Sequence, residues 1–181
     1  MASDSILRED PVRAAALAVA AVGMAALLGA WFFQYALGLA PCPLCLEQRY
    51  AYYFAVPLAV MVALGASVGS SRKVLMAAFI AIAVAMLWNS YLGVYHAGVE
   101  WKWWAGPRDC SGELTSFGSA GSLLNRLQTS NVVRCDEAAW RFLGLSLAGY
   151  NALISLALAL VAIFGALALR GNAQGSSSVS Q

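Results

Sequence analysis

"APCPLCLEQRYAYY", residues Ala40 to Tyr53, decides how the rest of the chain is read. Cys42 and Cys45 form a C-x-x-C, Arg49 follows four residues after the second cysteine, and the surrounding sequence is strongly apolar. Three readings compete for such a stretch: half of a metal site, a structural disulfide, or a redox centre at the edge of a membrane. The flanks bear first on the fold.

Of the 181 residues, 61% are hydrophobic and 11% charged. Soluble domains carry about a quarter charged residues, so ordinary globular packing is a poor fit. Four stretches hold no Asp, Glu, Lys or Arg: Ala14 to Leu46, Tyr50 to Ser71, Val74 to Val99, and Phe142 to Leu169. Each accommodates the helix of about 20 residues that a hydrocarbon core of about 30 Å requires. Helices satisfy their own backbone where water is absent. The chain therefore reads as an all-α membrane protein, a four-helix transmembrane bundle with spans near 12–37, 48–69, 74–95 and 142–169. The first span follows Arg8 and Arg13 as a signal peptide would. Its length and the acids Asp4, Glu9 and Asp10 in its leader favour a retained helix. The net charge of +2, with no basic run, gives no indication of nucleic acid.

Four spans put both termini on one side of the bilayer. Two loops share the other side: a short one over 38–47 and a long one over 96–141, followed after the last span by a polar tail over 171–181 that reads as disordered. Within the long loop, Leu123, Leu124 and Leu127 fall on one helical face, as in a short amphipathic helix lying on the membrane surface. The termini and the Ser70–Lys73 turn carry five Lys or Arg; the loop side carries six over about twice the length. The positive-inside rule thus leans towards cytoplasmic termini. All four cysteines lie on the loop side, and stable disulfides need an oxidising compartment such as the periplasm.

The second cysteine couple, Cys110 and Cys135, is separated by 24 residues. A zinc knuckle pair wants two close couples, and the sole histidine, His96, does not complete one, so no metal site is expected. As a staple, a Cys110–Cys135 bond closes a long loop and would contribute about 3 kcal/mol in the chain-entropy model. A Cys42–Cys45 ring constrains almost nothing, so its purpose is better sought in chemistry. With a helix starting near Cys45, that sulfur sits in the first turn, where free N–H groups and the helix dipole favour the thiolate. Arg49 is one turn on, on the same face, and favours it further; a lone arginine would read as snorkelling to headgroups, but one turn from a C-x-x-C a functional role is the preferred reading. His96 closes the third span and is read equally as a hydrogen-bond donor to a bound ring compound or as an interfacial residue. Trp88, Tyr91, Tyr95, Trp101, Trp103 and Trp104 read mainly as an interfacial belt. Asn89 and Asn151 read as interhelical glue.

Two dithiol pairs on one side of a membrane suit a relay by thiol–disulfide exchange, and the electrons need a final acceptor. No haem, flavin or iron–sulfur ligand pattern is present in the sequence, so a quinone dissolved in the bilayer is the natural acceptor. At this point the chain resembles the DsbB family of bacterial inner-membrane thiol oxidases. The resemblance is carried by Phe33 and Gln34, then "PCPLCLEQR" (Pro41 to Arg49). It continues in "GVYHAGVEWKWW" (Gly93 to Trp104) before Cys110, and in "CDEAAWRFLGLS" (Cys135 to Ser146). The resemblance implies oxidation of a DsbA-like periplasmic partner and transfer of electrons to ubiquinone or menaquinone. It implies that Cys110 is attacked by the partner, that Cys135 then attacks Cys42, and that Cys45 delivers the electrons. Arg49 and His96 would hold the quinone. Gln48 departs from the acid found there in the best-known member, and Glu47 receives no implied role. The resting pairing stays open between Cys42–Cys45 with Cys110–Cys135 and an interloop Cys42–Cys135 bond. A vitamin K epoxide reductase-like enzyme is the rival among enzymes, but there the C-x-x-C follows the loop cysteines, whereas here it precedes them. A non-enzymatic membrane protein stapled by disulfides is the rival from another class; it would tolerate loss of Cys42 or Cys45.

Overall fold

The computed structural model describes residues 11–107 and 134–177, with side chains as far as Arg170. Helix α1 runs Pro11–Trp31 and continues into a π-helical turn, Phe32–Ala36. Helices α2 (Pro43–Ser67) and α3 (Arg72–Glu100) follow, then a two-stranded hairpin, β1 (Arg141–Phe142) and β2 (Leu145–Ser146), then α4 (Leu147–Ser177). All four helices are long and apolar enough to cross a membrane; the shortest apolar stretch, Leu147–Arg170, has 24 residues. At 1.5 Å per residue it reaches about 36 Å, enough for the hydrocarbon core. The protein is a multi-pass, four-helix membrane bundle. Cys110 and the surface helix expected over 121–128 lie outside the described residues.

Lipid tails are as apolar as leucine, so helices in a bilayer associate through close packing and polar bonds rather than by expulsion of water. The core follows that rule. Ala16, Ala59, Ala159 and Ala162 are fully buried beside Val19, Phe79, Ile82 and Met86. At the most extensive interface, α3 against α4, a Cβ on Gly93 would come within 2.9 Å of the Ala152 backbone. Leucines such as Leu28, Leu64 and Leu160 remain exposed on the outside, where lipid covers them.

Three boundaries differ from the spans read in the sequence. Pro43 occupies the first turn of α2, where its missing N–H costs nothing, and Cys42 caps the helix by accepting the Cys45 N–H at 3.3 Å. Cys45 therefore belongs to the helix, not to the loop. Helix α3 runs five residues past 95, to Glu100, and closes with Trp103 N–H on the Gly98 carbonyl at 2.9 Å. Trp104 folds back over Gly98, where a Cβ would collide with its ring, and donates its indole N–H to the Tyr95 carbonyl at 2.9 Å. Helix α4 begins at Leu147, five residues later than 142, and runs on to Ser177, into the stretch read as tail. The residues before it form the hairpin, whose tip Leu143–Gly144 has φ of 49° and 83°. Two positive φ values make a turn that matches strand twist. Pro57 sits inside α2 without ending it.

Candidate functional site

The capping geometry at the start of α2 brings the two sulfurs of the C-x-x-C together. Cys42 Sγ donates to Cys45 Sγ at 2.9 Å, and both are free thiols. Cys42 is 3% exposed. The hydrogen bond it gives to Cys45, together with burial, holds the Cys42 proton far above the usual thiol range. The pair is therefore unequal: Cys42 keeps its proton, and Cys45 is the acceptor of that hydrogen bond.

Behind Cys42, the Nε2 of His96 lies 3.6 Å from its sulfur, and the Cys135 sulfur completes a cluster whose three donor atoms fall within 4.8 Å of one another. Two sulfurs and an imidazole nitrogen at that spacing resemble a metal site, but Cys135 is disulfide-bonded and its sulfur is not a free thiolate ligand. What the cluster does bring together is a sulfur of each cysteine couple. Beside Cys135, the exposed Arg134 holds Asp136 through two bonds of 3.0 and 2.8 Å, which keeps that carboxyl below the usual range.

On its other side Cys45 lines a cavity of about 570 Å³. Its walls come from Leu27 of α1, from Phe33 of the π-helical turn, from Cys45, Gln48, Arg49 and Tyr52 of α2, from His96, from Trp140 and Phe142 around the hairpin, and from Asn151 of α4. The π-helical turn shapes one wall. Its Gln34 accepts a hydrogen bond from Arg49 Nη1 at 2.6 Å, which anchors the arginine against α1 instead of leaving it free to snorkel. Phe33 from the same turn meets Trp140 at 5.2 Å, and Trp140 stacks on Phe142 at 5.8 Å with rings 10° apart. Trp140 and Phe142 thereby form one wall of the cavity. Such a space, mostly apolar with a few converging polar groups, fits a flat hydrophobic compound carrying hydrogen-bond acceptors.

A buried polar chain runs from this site into the bundle. Gln48 Nε2 lies 2.9 Å from His96 Nδ1, and Asn151 Nδ2 donates to Gln48 Oε1 at 2.6 Å. Tyr52 donates to Asn151 Oδ1 at 2.7 Å, and Asn89 Nδ2 donates to Ser155 Oγ at 2.9 Å. Glu100 is 8% exposed, with one oxygen 3.7 Å from His96 Nε2.

Of the residues singled out in the sequence, Cys42, Cys45, Arg49, His96 and Cys135 converge here. The aromatic run does not: Trp88, Tyr91, Trp101, Trp103 and Trp104 are exposed and stand apart from the larger cavity, as a belt would. Glu47 is turned to a smaller cavity of about 310 Å³ with Trp88 and Tyr50. Trp140, Phe142 and Glu100 escaped the sequence reading. For Glu100 the available signal was its place four residues after His96, one turn along the same helix face.

The family model described as disulfide bond formation protein DsbB matches residues 12–165. Disulfide bond formation protein B of Polaromonas sp. (strain JS666) is 31% identical over 153 residues, covering 81% of this chain and 86% of the relative. The protein of the same name from Albidiferax ferrireducens is 31% identical over 157 residues, covering 80% and 83%. That from Paracidovorax citrulli is 28% identical over 173 residues, covering 92% and 90%. No solved structure gave a significant match.

Proposed function

This chain belongs to the DsbB family, a family of thiol oxidoreductases that form disulfide bonds, and from that premise we propose its particular reaction. It oxidises a DsbA-like, thioredoxin-fold disulfide donor by thiol–disulfide exchange and passes the two electrons to a membrane quinone, ubiquinone or menaquinone. The observation that carries this reading is the two-sided setting of the C-x-x-C: Cys45 lines the cavity with Arg49, while the Cys42 sulfur lies within 4.8 Å of that of Cys135.

The cysteines act in order. A thiolate of the reduced partner attacks Cys110 of a Cys110–Cys135 disulfide, and Cys135 leaves as a thiolate. Cys135 attacks Cys42, a new S–S bond forms, and the Cys42–Cys45 bond breaks with its electron pair on Cys45. The partner's second thiolate releases its own disulfide and frees Cys110. Cys110 restores the bond to Cys135, leaving Cys42 and Cys45 as the dithiol. Each exchange step moves one electron pair between sulfurs and changes no net charge. A bound quinone supplies the acceptor for two electrons and two protons. Towards that group, Arg49 offers a cation and donors, fixed by Gln34, and His96 offers a ring edge. Phe33, Trp140 and Phe142 exclude water and present flat apolar faces. The volume lies within the range of small-molecule sites. Oxidising chemistry and the arginine distribution both favour cysteines on the periplasmic side and termini in the cytoplasm, in the bacterial inner membrane.

The test uses the detergent-purified chain, a reduced thioredoxin-fold donor and a soluble quinone, with quinone absorbance followed over time. Turnover is expected with the wild type and none with Cys45→Ala. A silent wild type, or full turnover in the variant, overturns the reading.

A further inference from the structure

The buried chain of amides leading to His96 has a direction, and the direction decides which ring nitrogen carries the proton. Asn151 Oδ1 receives the Tyr52 hydroxyl at 2.7 Å and the Asn89 amide at 3.4 Å, so Asn151 presents its NH₂ group to Gln48. That group donates to Gln48 Oε1 at 2.6 Å, which turns the NH₂ of Gln48 to His96 Nδ1 at 2.9 Å. An amide NH₂ donates and does not accept, so Nδ1 is the acceptor. A neutral imidazole accepting at Nδ1 carries its hydrogen on Nε2. Around Nε2 lie the Cys42 sulfur at 3.6 Å and Glu100 Oε1 at 3.7 Å, and the ring also donates to the backbone of Cys135. Gln48 is 5% exposed, His96 3% and Asn89 and Ser155 0%, while Asn151 is half-buried. A donor on one ring nitrogen and acceptors at the other leave a single tautomer satisfied on both sides.

We propose that Gln48 and Asn151 are positioning residues that lock His96 as an Nε2–H donor aimed at Cys42. The proposal rests on the exchange role given to Cys42 above. When the loop thiolate breaks the Cys42–Cys135 bond, the electron pair and negative charge pass to a sulfur with almost no access to water. The Nε2–H stabilises that charge through a hydrogen bond and keeps its own proton. With the hydrogen on Nδ1, the lone pair of Nε2 would face the thiolate and repel it.

The chain contains one histidine, so selective ¹⁵N-histidine labelling reports two ring nitrogens without ambiguity. The full chain, in detergent at pH 8 and without quinone, should show a bare Nδ1 and a protonated Nε2. Gln48→Glu places a carboxylate, which only accepts, opposite Nδ1, and the hydrogen should move there. Asn151→Leu frees the Gln48 amide to turn, and both tautomers should appear. Partner-driven quinone reduction should fall about tenfold in Gln48→Glu, the cost of one charge-assisted hydrogen bond. A protonated Nδ1 in the wild type overturns the proposal, as do unchanged ring signals in both variants. The expected spectra together with no quinone reduction by the wild type would support the lock and overturn the reaction proposed for the chain.

Discussion

The two halves of the bundle are built from the same four helices on different terms. Around Val19, Ala59, Phe79, Ile82 and Ala162 the interior is apolar, and size alone decides what fits. Around Cys42, Gln48, His96 and Asn151 each side chain has a partner in a particular direction. Volume-conserving swaps are tolerated in a packed apolar core, whereas a directional network with one member removed leaves a buried polar group unsatisfied. One half makes the scaffold. The other uses it to hold sulfur and charge in fixed relation.

Substitutions in each half can break that contrast. The largest effect is expected from Cys45→Ala, which should abolish quinone reduction in the assay with reduced partner. The same variant should still form a mixed disulfide with the partner, seen on a non-reducing gel. Arg49→Ala removes a charge-assisted hydrogen bond to Gln34 and the cation at the cavity wall. Its apparent KM for quinone should rise about 10- to 100-fold, as a loss of about 1.5–3 kcal/mol implies; an unchanged KM would remove Arg49 from the site. Phe79→Ala, in the apolar half, should lower the thermal midpoint by emptying a fully buried site, with turnover at low temperature within about twofold of wild type. A large KM change there would mean that the halves are not separate. The smallest effect belongs to Asp136→Asn. Its carboxyl is held low by Arg134, so the pair is present above the ordinary carboxylate range and is lost as pH falls through the depressed value. Because the pair is exposed, the thermal midpoint between pH 5 and 8 should not move.

Much of the scaffold was legible in the sequence because hydropathy records the demand of the bilayer directly: four charge-free runs became four helices. The ends were less legible. The third span reads in the sequence as ending at 95, with His96 and Glu100 in the loop, yet both lie within α3 and are buried side by side. The hairpin is too short to show any period, and Trp140 and Phe142 reach the cavity only through it. Five of the expected site residues, Cys42, Cys45, Arg49, His96 and Cys135, are found together; Cys110 is not among the described residues. Asn151 read as interhelical glue, and it does join helices. What a sequence does not encode locally is the order of donors along a chain of amides drawn from α2, α3 and α4.

The π-helical turn at Phe32–Ala36 ties the cavity to chain length. A π turn holds one residue more than an α turn requires, so residues on either side of it are offset by about 100° around the axis. Deleting Phe32, Tyr35 or Ala36 would let α1 continue as an ordinary helix and would rotate the segment leading to Cys42. Gln34 and Phe33 would lose their alignment with Arg49 and Trp140 without any of these residues being replaced. Among relatives that lack one residue here, a retained arginine would not by itself mean a retained cavity wall.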